Sequence, residues 1–208
     1  MTSPQQPHEE PAYADRVYRS NGALVAGVLL LAFGLWICGD AVVRGSGRTP
    51  WFALAGFLTA APLVVAYTLR PAVFANEDRL KIRNPFRTIE LPWASVAAVR
   101  ARYSAEALVG DATYQLWAIP VSLRQRKAAT RRNAKRKAAG EDVVPGQQDE
   151  VSRAVADQHV KDLAEIHEQA VATARPGAQG EPAIRWTYEL IAPAVAGALL
   201  LAVLFATR

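Results

Sequence analysis

The sequence predicts an α+β membrane protein with three transmembrane helices and a small antiparallel sheet domain. Apolar runs cover residues 22–43, 51–69 and 190–206, and each approaches the roughly 20 residues that a helix needs to cross a bilayer. The third transmembrane helix is predicted over residues 186–206. Between the second and third runs, short stretches alternate apolar and charged residues, which is typical of strands with one buried face. A charged segment rich in helix-forming residues follows this alternation.

The first two runs form a transmembrane hairpin over residues 21–69 and contain a single charged residue, Asp40. Asp40 is near the end of its run, where it can reach water or pair with Arg44, so we interpret it as an anchoring residue. Trp186 and Tyr188 stand just before the third run, and such aromatic side chains favour the membrane boundary. Glu189 is interpreted as an anchoring residue at the inner end of that helix.

Basic residues near the helix ends predict the orientation of the chain. Nine lie on the side shared by the N-terminus and the middle segment, and only Arg44, Arg48 and Arg208 lie on the other. Segments rich in Lys and Arg remain in the cytoplasm. We therefore expect a multi-pass plasma-membrane protein with its N-terminus and middle segment cytoplasmic and its C-terminus outside. Residues 1–20, rich in Pro, Gln and Glu, are expected to form a disordered cytoplasmic tail.

Residues 70–139 are predicted to form the sheet domain. Leu80 and Ile82 alternate with charged residues, as do Ile89 and Leu91, and turn residues separate the stretches at 76–78, 84–85 and 110–111. About five to six short strands joined by tight turns indicate an antiparallel meander that curls to protect its edges. Trp93 and Trp117 are expected to pack in the core or at its rim.

Two helices are predicted beyond the strands. The first covers residues 122–138 and ends the sheet domain as a basic C-terminal helix, because Ala, Arg and Lys favour helix. Residues 140–182 then form a charged linker and an amphipathic helix from about Asp149 to Ala174. The apolar stripe of that second helix consists of Val151, Val155, Leu163, Ile166 and Ala170.

The basic helix is the strongest candidate site. It contains eight basic residues and no acidic one: Arg124, Arg126, Lys127, Arg131, Arg132, Lys135, Arg136 and Lys137. Basic residues near a membrane attract anionic lipid by about 1 kcal/mol each, so an anionic lipid surface is one interpretation. A solvated helix that packs on the sheet, or pairs with the acidic residues that follow, is the second. Nucleic-acid binding is the third, although no readout motif accompanies the basic residues.

Motifs for catalysis are missing from the sequence. It contains no glycine-rich phosphate loop, no nucleophile elbow and no zinc-protease motif. His159 and His167 are eight residues apart, which gives no metal-ligand spacing on a helix, and the one cysteine excludes a cysteine zinc cluster. We predict a protein without enzymatic activity, without catalytic residues, and without a cofactor or metal site.

The segments Asp78–Asn84, Ile89–Trp93 and Val99–Arg100, after a membrane hairpin that ends at Arg70-Pro71, resemble the bacterial PH-like domain. The most similar type is that of the low molecular weight protein antigen 6 group of actinobacteria, and the resemblance covers residues 17–127. It implies a PH-like half-barrel on the cytoplasmic face with a C-terminal helix packed on the sheet. It implies no established activity.

One departure from the PH domain concerns the loop between the first two strands. Phosphoinositide-binding PH domains place basic residues there, whereas this sequence has the acidic Asn76-Glu77-Asp78. We therefore expect no specific inositol-phosphate pocket. The prediction is a binding or scaffolding module that contacts the lipid bilayer and an unknown membrane or cytoplasmic protein partner. The alternatives are an accessory subunit of a membrane enzyme or transporter complex, and a membrane-tethered nucleic-acid binder.

Overall fold

The computed structural model describes residues 16–101, 104–119 and 147–207, with side chains described throughout except for 147–157. The predicted basic helix and the first 15 residues of the predicted tail lie outside the described residues. In chain order the elements are β1 (Arg16–Tyr18), α1 (Asn21–Arg44), α2 (Thr49–Val64), a π-helical turn (Val65–Leu69), β2 (Ala72–Ala75), β3 (Arg79–Arg83), β4 (Arg87–Pro92), a 3-10 turn (Trp93–Ser95), β5 (Ala98–Ala101), β6 (Ala105–Val109), β7 (Ala112–Gln115), α3 (Gln147–Thr173), a second 3-10 turn (Pro176–Ala178), β8 (Ala183–Trp186) and α4 (Tyr188–Ala206).

Among the described residues, three helices are long and apolar enough to cross a membrane, which confirms the three predicted apolar helices. They are α1, α2 with its π-helical turn, and α4. Ser20 begins α1, since its Oγ accepts a hydrogen bond from the backbone N–H of Ala23 and satisfies a free helix donor. Small residues let the helices approach closely. A Cβ on Gly27 would collide with Thr68, and one on Gly197 would lie 2.5 Å from Thr59 Oγ1.

The strands form two antiparallel sheets. The five-stranded sheet has the order β1-β2-β3-β4-β8, and the three-stranded sheet has the order β5-β6-β7. Asn84 joins the two sheets, because its side-chain N–H donates to the Gln115 carbonyl over 2.9 Å. Gly110, with a φ of 53°, forms the tight turn between β6 and β7, a backbone conformation that glycine adopts without steric cost.

The core lies between the two sheets and α3. Alternate residues of the five-stranded sheet point into it, and the fully buried Leu80, Ile82, Ile89 and Leu91 confirm the predicted alternation. Helix α3 closes the core and contacts β5 and the turn at Trp93. Its Leu163 is fully buried, Ala170 is buried and Ile166 packs against the core.

Several boundaries differ from the predictions. The segment predicted as the end of a disordered tail contains β1, which pairs with β2. The third membrane helix begins at Tyr188, two residues later than predicted, because Trp186 belongs to β8, which pairs with β4. The predicted boundary at residue 139 separates segments that pack together, since α3 covers the core and β8 extends the sheet.

Candidate binding sites at the two ends of the sheet

Strand direction gives the five-stranded sheet two different ends. β1 leads into α1, α2 leads into β2, and β8 leads into α4. These three connections lie at one end of the sheet, which we call the membrane end, together with the turn between β3 and β4. The opposite end, which we call the distal end, contains the turn between β2 and β3. The α1–α2 hairpin lies at the far side of the helices, where Arg48 donates to the Thr207 carbonyl over 2.6 Å.

Arg70 fastens the membrane end of the sheet to α2. It follows the last residue of the π-helical turn, and its guanidinium donates to the backbone carbonyls of Asn84 and Arg87 and to Thr88 Oγ1, the last over 2.8 Å. Burial lowers the pKa of Arg70, and the nearby Arg83 lowers it further, whereas Glu189 opposes the shift. Arg70 therefore holds the β3–β4 turn directly beneath the membrane helix.

Aromatic residues surround the same junction. The Tyr67 ring, in the π-helical turn, lies 5.4 Å from the ring of Phe86 and 5.7 Å from that of Trp117. Trp186 and Tyr188 are exposed at the start of α4. The expectation of core packing holds for Trp93, which is fully buried, while Trp117 is 43% exposed and lies at the rim. Amphipathic rings at this level suit the interface between lipid and water.

A cleft of about 330 Å³ opens on the outer face of the sheet at its membrane end. We call it the basic cleft. It is lined by Arg70, Lys81, Arg83, Thr88, Glu90, Arg185, Trp186, Thr187 and Glu189. The register of the sheet assembles it, because Arg83, Thr88 and Arg185 are direct neighbours across β3, β4 and β8. Residues about one hundred positions apart in sequence thus form one charged surface.

Glu90 organises the charges on one side of the cleft that it lines. It pairs with Lys81 across 2.9 Å and lies 4.0 Å from Arg79. Burial raises the pKa of Glu90, but the hydrogen bond and charge of Lys81, with the charges of Arg185 and Arg79, outweigh it and lower the pKa overall. Arg83 stacks over the Phe74 ring at 4.9 Å.

Hydrogen bonds of Asn76 and Trp93 fix the distal end. The Asn76 side chain accepts from the backbone N–H groups of Asp78 and Arg79, over 2.9 and 2.8 Å. Trp93 donates its indole N–H to the Asn76 carbonyl over 2.7 Å, and its backbone N–H donates to Asp78. The acidic loop that distinguishes this chain from phosphoinositide-binding PH domains therefore supports a buried tryptophan.

A second cavity, of about 450 Å³, lies at the distal end between α3 and the strands. We call it the helix groove. It is lined by Arg16, Ala75, Asn76, Glu77, Ile166, Gln169, Ala170, Thr173 and Arg175. Arg175 forms an ion pair with Glu77 across one end. The groove combines an apolar floor with a polar rim, which is the usual composition of a binding site.

The predicted site residues are distributed as follows. The basic residues from Arg124 to Lys137 lie outside the described residues, so their interpretation stays a prediction. His159 packs edge-on against Tyr18 at 4.8 Å, and a ring nitrogen of His167 lies 2.7 Å from the Val96 carbonyl. Asp40 pairs with Arg44 across 3.1 Å, as predicted. Within residues 16–101, 104–119 and 147–207, no group of three His, Cys, Asp or Glu side chains is placed to hold a metal ion.

Sequence reasoning missed both the basic cleft and the helix groove. The basic residues of the cleft entered only the count of charges that predicts orientation. The missing signal was the pairing of β4 with β8, which places Arg185 beside Thr88.

The fold defines the class of protein: a two-sheet antiparallel domain, closed by a helix and held by three helices apolar enough to span a membrane. Residues 70–141, 72 of the 208 in the chain, match a family model described as "Bacterial PH domain". This match confirms the predicted PH-like domain, while its assignment to the antigen 6 group stays a prediction. A search of curated proteins and a search of solved structures give no match.

Proposed function

We propose that this protein is a membrane-anchored binding or scaffolding module, without catalytic activity, that presents a PH-like domain to a protein partner at the inner membrane face. One observation carries the proposal: the sheet is tied to membrane helices at one end and has an open groove at the other. Because chain connections at β1, β2 and β8 fix the domain, the helix groove keeps a constant orientation relative to the helices.

The helix groove suits a peptide segment better than a small polar metabolite. Its floor consists of Ala75, Ile166 and Ala170, which offer apolar contact area, and its rim offers Gln169 as a hydrogen-bonding side chain. Protein interfaces combine such an apolar centre with a polar rim. Confinement to the membrane raises the effective concentration of the domain toward membrane neighbours, so a modest interface is enough for occupancy.

The cytoplasmic orientation is part of this proposal. It is supported by the nine basic residues on the side of the sheet, against three on the other side, because basic segments remain in the cytoplasm. Reporter fusions after Lys137 and after Arg208 test it. The first should be active only as a cytoplasmic reporter and the second only as an external one. The opposite pattern would place the domain outside.

Photo-crosslinking in native membranes tests the groove. A photoreactive residue at Thr173, in the full-length chain, should form a discrete adduct with one protein. Gln169→Trp should abolish the adduct, because the indole fills the groove, whereas Glu168→Trp should preserve it. Glu168 is exposed on the same helix and does not line the groove. An adduct that survives Gln169→Trp would contradict the proposed docking site.

Anionic lipid contact by the residues from Arg124 to Lys137 belongs to the same proposal, and comparative binding tests it. The full-length protein in nanodiscs should bind anionic vesicles more strongly than oligonucleotides at physiological salt, since about 1 kcal/mol per basic residue is available near an anionic surface. Stronger binding to oligonucleotides would support the nucleic-acid alternative. A single large species in mild detergent, with no separable chain, would support the accessory-subunit alternative.

A further inference from the structure

We propose that the basic cleft is a phosphate-binding site, for which the headgroup of a membrane phospholipid is the nearest source. The proposal rests on the membrane anchoring described above and concerns residues other than the basic helix. Arg83 and Arg185 provide the charge, Thr88 provides a hydroxyl group, and Arg70 holds the strand that carries Thr88.

The charge balance of the cleft favours an anion. Four basic residues line it against the two carboxylates of Glu90 and Glu189, a net charge of +2 (4 − 2). Lys81 is paired with Glu90. In the described part of the chain, no carboxylate lies within 4 Å of the guanidinium of Arg83 or of Arg185. These two guanidinium groups therefore keep their charge available to a ligand.

The donors of the cleft suit a tetrahedral oxyanion. An arginine guanidinium presents a planar fork that binds two phosphate oxygens at once. Thr88 accepts a hydrogen bond from Arg70, which leaves its own O–H to donate. The guanidinium N–H groups of Arg70 already donate to Asn84, Arg87 and Thr88. Arg70 therefore acts as a positioning residue. A volume of 330 Å³ lies at the lower end of the range of ligand clefts, about 300–1,000 Å³, which suits a headgroup.

The position of the cleft explains why a lipid is the nearest source. Arg70 directly follows the apolar α2 segment, and Arg185 precedes the first residue of α4 by three positions. The end of the α2 segment and the start of α4 must both emerge from the hydrocarbon at the level of the headgroups. The exposed Trp186 lines the cleft, and the exposed Tyr188 follows it by two residues. Rings of this kind favour that layer.

Basic residues beside membrane helices can attract anionic lipid in general, without forming a specific site. A variant of Arg87 distinguishes this general attraction from binding in the cleft. Arg87 lies on the same strand, one residue from Thr88, but does not line the cleft. Successive strand residues face opposite sides of a sheet. Arg87→Gln therefore removes the same charge at the same height on the other face.

Retained lipid can be measured by native mass spectrometry of the full-length protein released from nanodiscs of phosphatidylcholine with a minor fraction of phosphatidylglycerol. We expect one retained phosphatidylglycerol on the wild type, at least tenfold less on Arg83→Gln/Arg185→Gln, and an unchanged amount on Arg87→Gln. Arg185→Lys should give an intermediate amount, because it keeps the charge but loses the fork. Circular dichroism and thermal unfolding confirm that each variant is folded.

Free phosphate provides the second arm of the experiment. Inorganic phosphate is titrated into lipid-free protein in neutral detergent. If it binds there, and no lipid is retained in the first arm, the ligand is a soluble phosphate and the lipid source is overturned. Equal lipid loss in Arg87→Gln and the double variant, or no phosphate binding in either arm, overturns the site itself. Crosslinking at the helix groove should persist in the double variant, so this failure is distinguishable from failure of the proposed function.

Discussion

The membrane end and the distal end of the five-stranded sheet are built from different interactions. At the membrane end, a charged guanidinium holds the β3–β4 turn, aromatic rings surround the junction, and four basic residues against two carboxylates line a cleft. At the distal end, an Asn turn and a buried tryptophan hold the backbone, and an acidic loop borders a groove. The same strands therefore present a cationic surface at one end and a mixed polar and apolar groove at the other.

Distance explains why the two ends can differ. The five residues of β3 span about 16 Å at 3.3 Å per residue. This exceeds the Debye length of about 8 Å at physiological ionic strength. Under the proposed function, headgroup charges at the membrane end are therefore screened at the distal end, where the proposed partner binds. The proposal thus assigns fixation to one end of the sheet and recognition to the other.

The largest expected effect comes from the distal end. Trp93→Ala removes a fully buried ring and its hydrogen bond to Asn76, and truncations of this kind cost about 3–5 kcal/mol. Trp117→Ala, at the membrane end, loses mainly its contact with Tyr67, worth about 0.5–1.5 kcal/mol. Thermal unfolding in detergent, followed by circular dichroism, measures both. Equal losses would show that the two ends do not differ in how they are held.

Loss of the guanidinium at the membrane end should have the next largest effect. Arg70→Met removes the hydrogen bonds to the β3–β4 turn and should cost about 1.5–3 kcal/mol, the range for bonds that involve a charged group. Arg87→Met is the matched control, because only the Arg87 backbone carbonyl takes part in this contact. Hydrogen exchange at residues 84–88 should accelerate in Arg70→Met alone. Unchanged exchange there would exclude Arg70 as the fastening residue.

Between the two ends, Glu90 gives a pH-dependent contribution. Lys81, Arg185 and Arg79 lower the pKa of Glu90 in the folded protein, against the effect of burial. The ionised Glu90 therefore stabilises the folded state fully above its ordinary pKa of 4.5. This stabilisation is lost as the pH falls through the lower pKa of the folded protein. Glu90→Gln should cost about 1–2 kcal/mol at pH 7. The difference from the wild type should shrink below pH 4.5. A difference that stays constant down to pH 3 would contradict this electrostatic account.

The smallest effect is expected at the rim of the helix groove. Arg175 and Glu77 form an ion pair whose side chains are 46% and 64% exposed. Exposed pairs contribute about 0–1 kcal/mol, so Glu77→Gln should leave the unfolding temperature nearly unchanged. A loss comparable to that of Arg70→Met would show that the groove is part of the stabilising core and not a surface available for binding.

Local patterns in the sequence predicted much of the fold. Residues 22–43 and 51–69 were predicted as helices, and the structure has helix from Asn21 to Arg44 and from Thr49 to Leu69, because lipid requires a long uninterrupted apolar segment. Alternation predicted β3 and β4, since each has a fully buried face. The α3 helix, predicted from about Asp149, begins at Gln147 and ends at Thr173.

Non-local pairing accounts for what the sequence did not predict. β1 and β8 have three and four residues, too few for a readable alternation, and they become strands because β2 and β4 offer unpaired edges. The basic cleft depends on the same pairing. Arg185 is far from Thr88 in sequence, and only the register of β8 on β4 makes them neighbours. The helix groove likewise requires α3 to pack over the distal end of the sheet.

The central claim, that strands flanking the membrane helices complete the PH-like sheet, is tested most directly by disulfide formation between β4 and β8. In a Cys38→Ala background, Thr88→Cys/Arg185→Cys joins register partners, whose Cα atoms in antiparallel strands lie about 4.5–5.5 Å apart, within disulfide range. Mild oxidation in native membranes should cross-link this pair and leave the offset pair Thr88→Cys/Ala183→Cys reduced. Equal yields from the two pairs, or cross-linking of the offset pair alone, would contradict the structure.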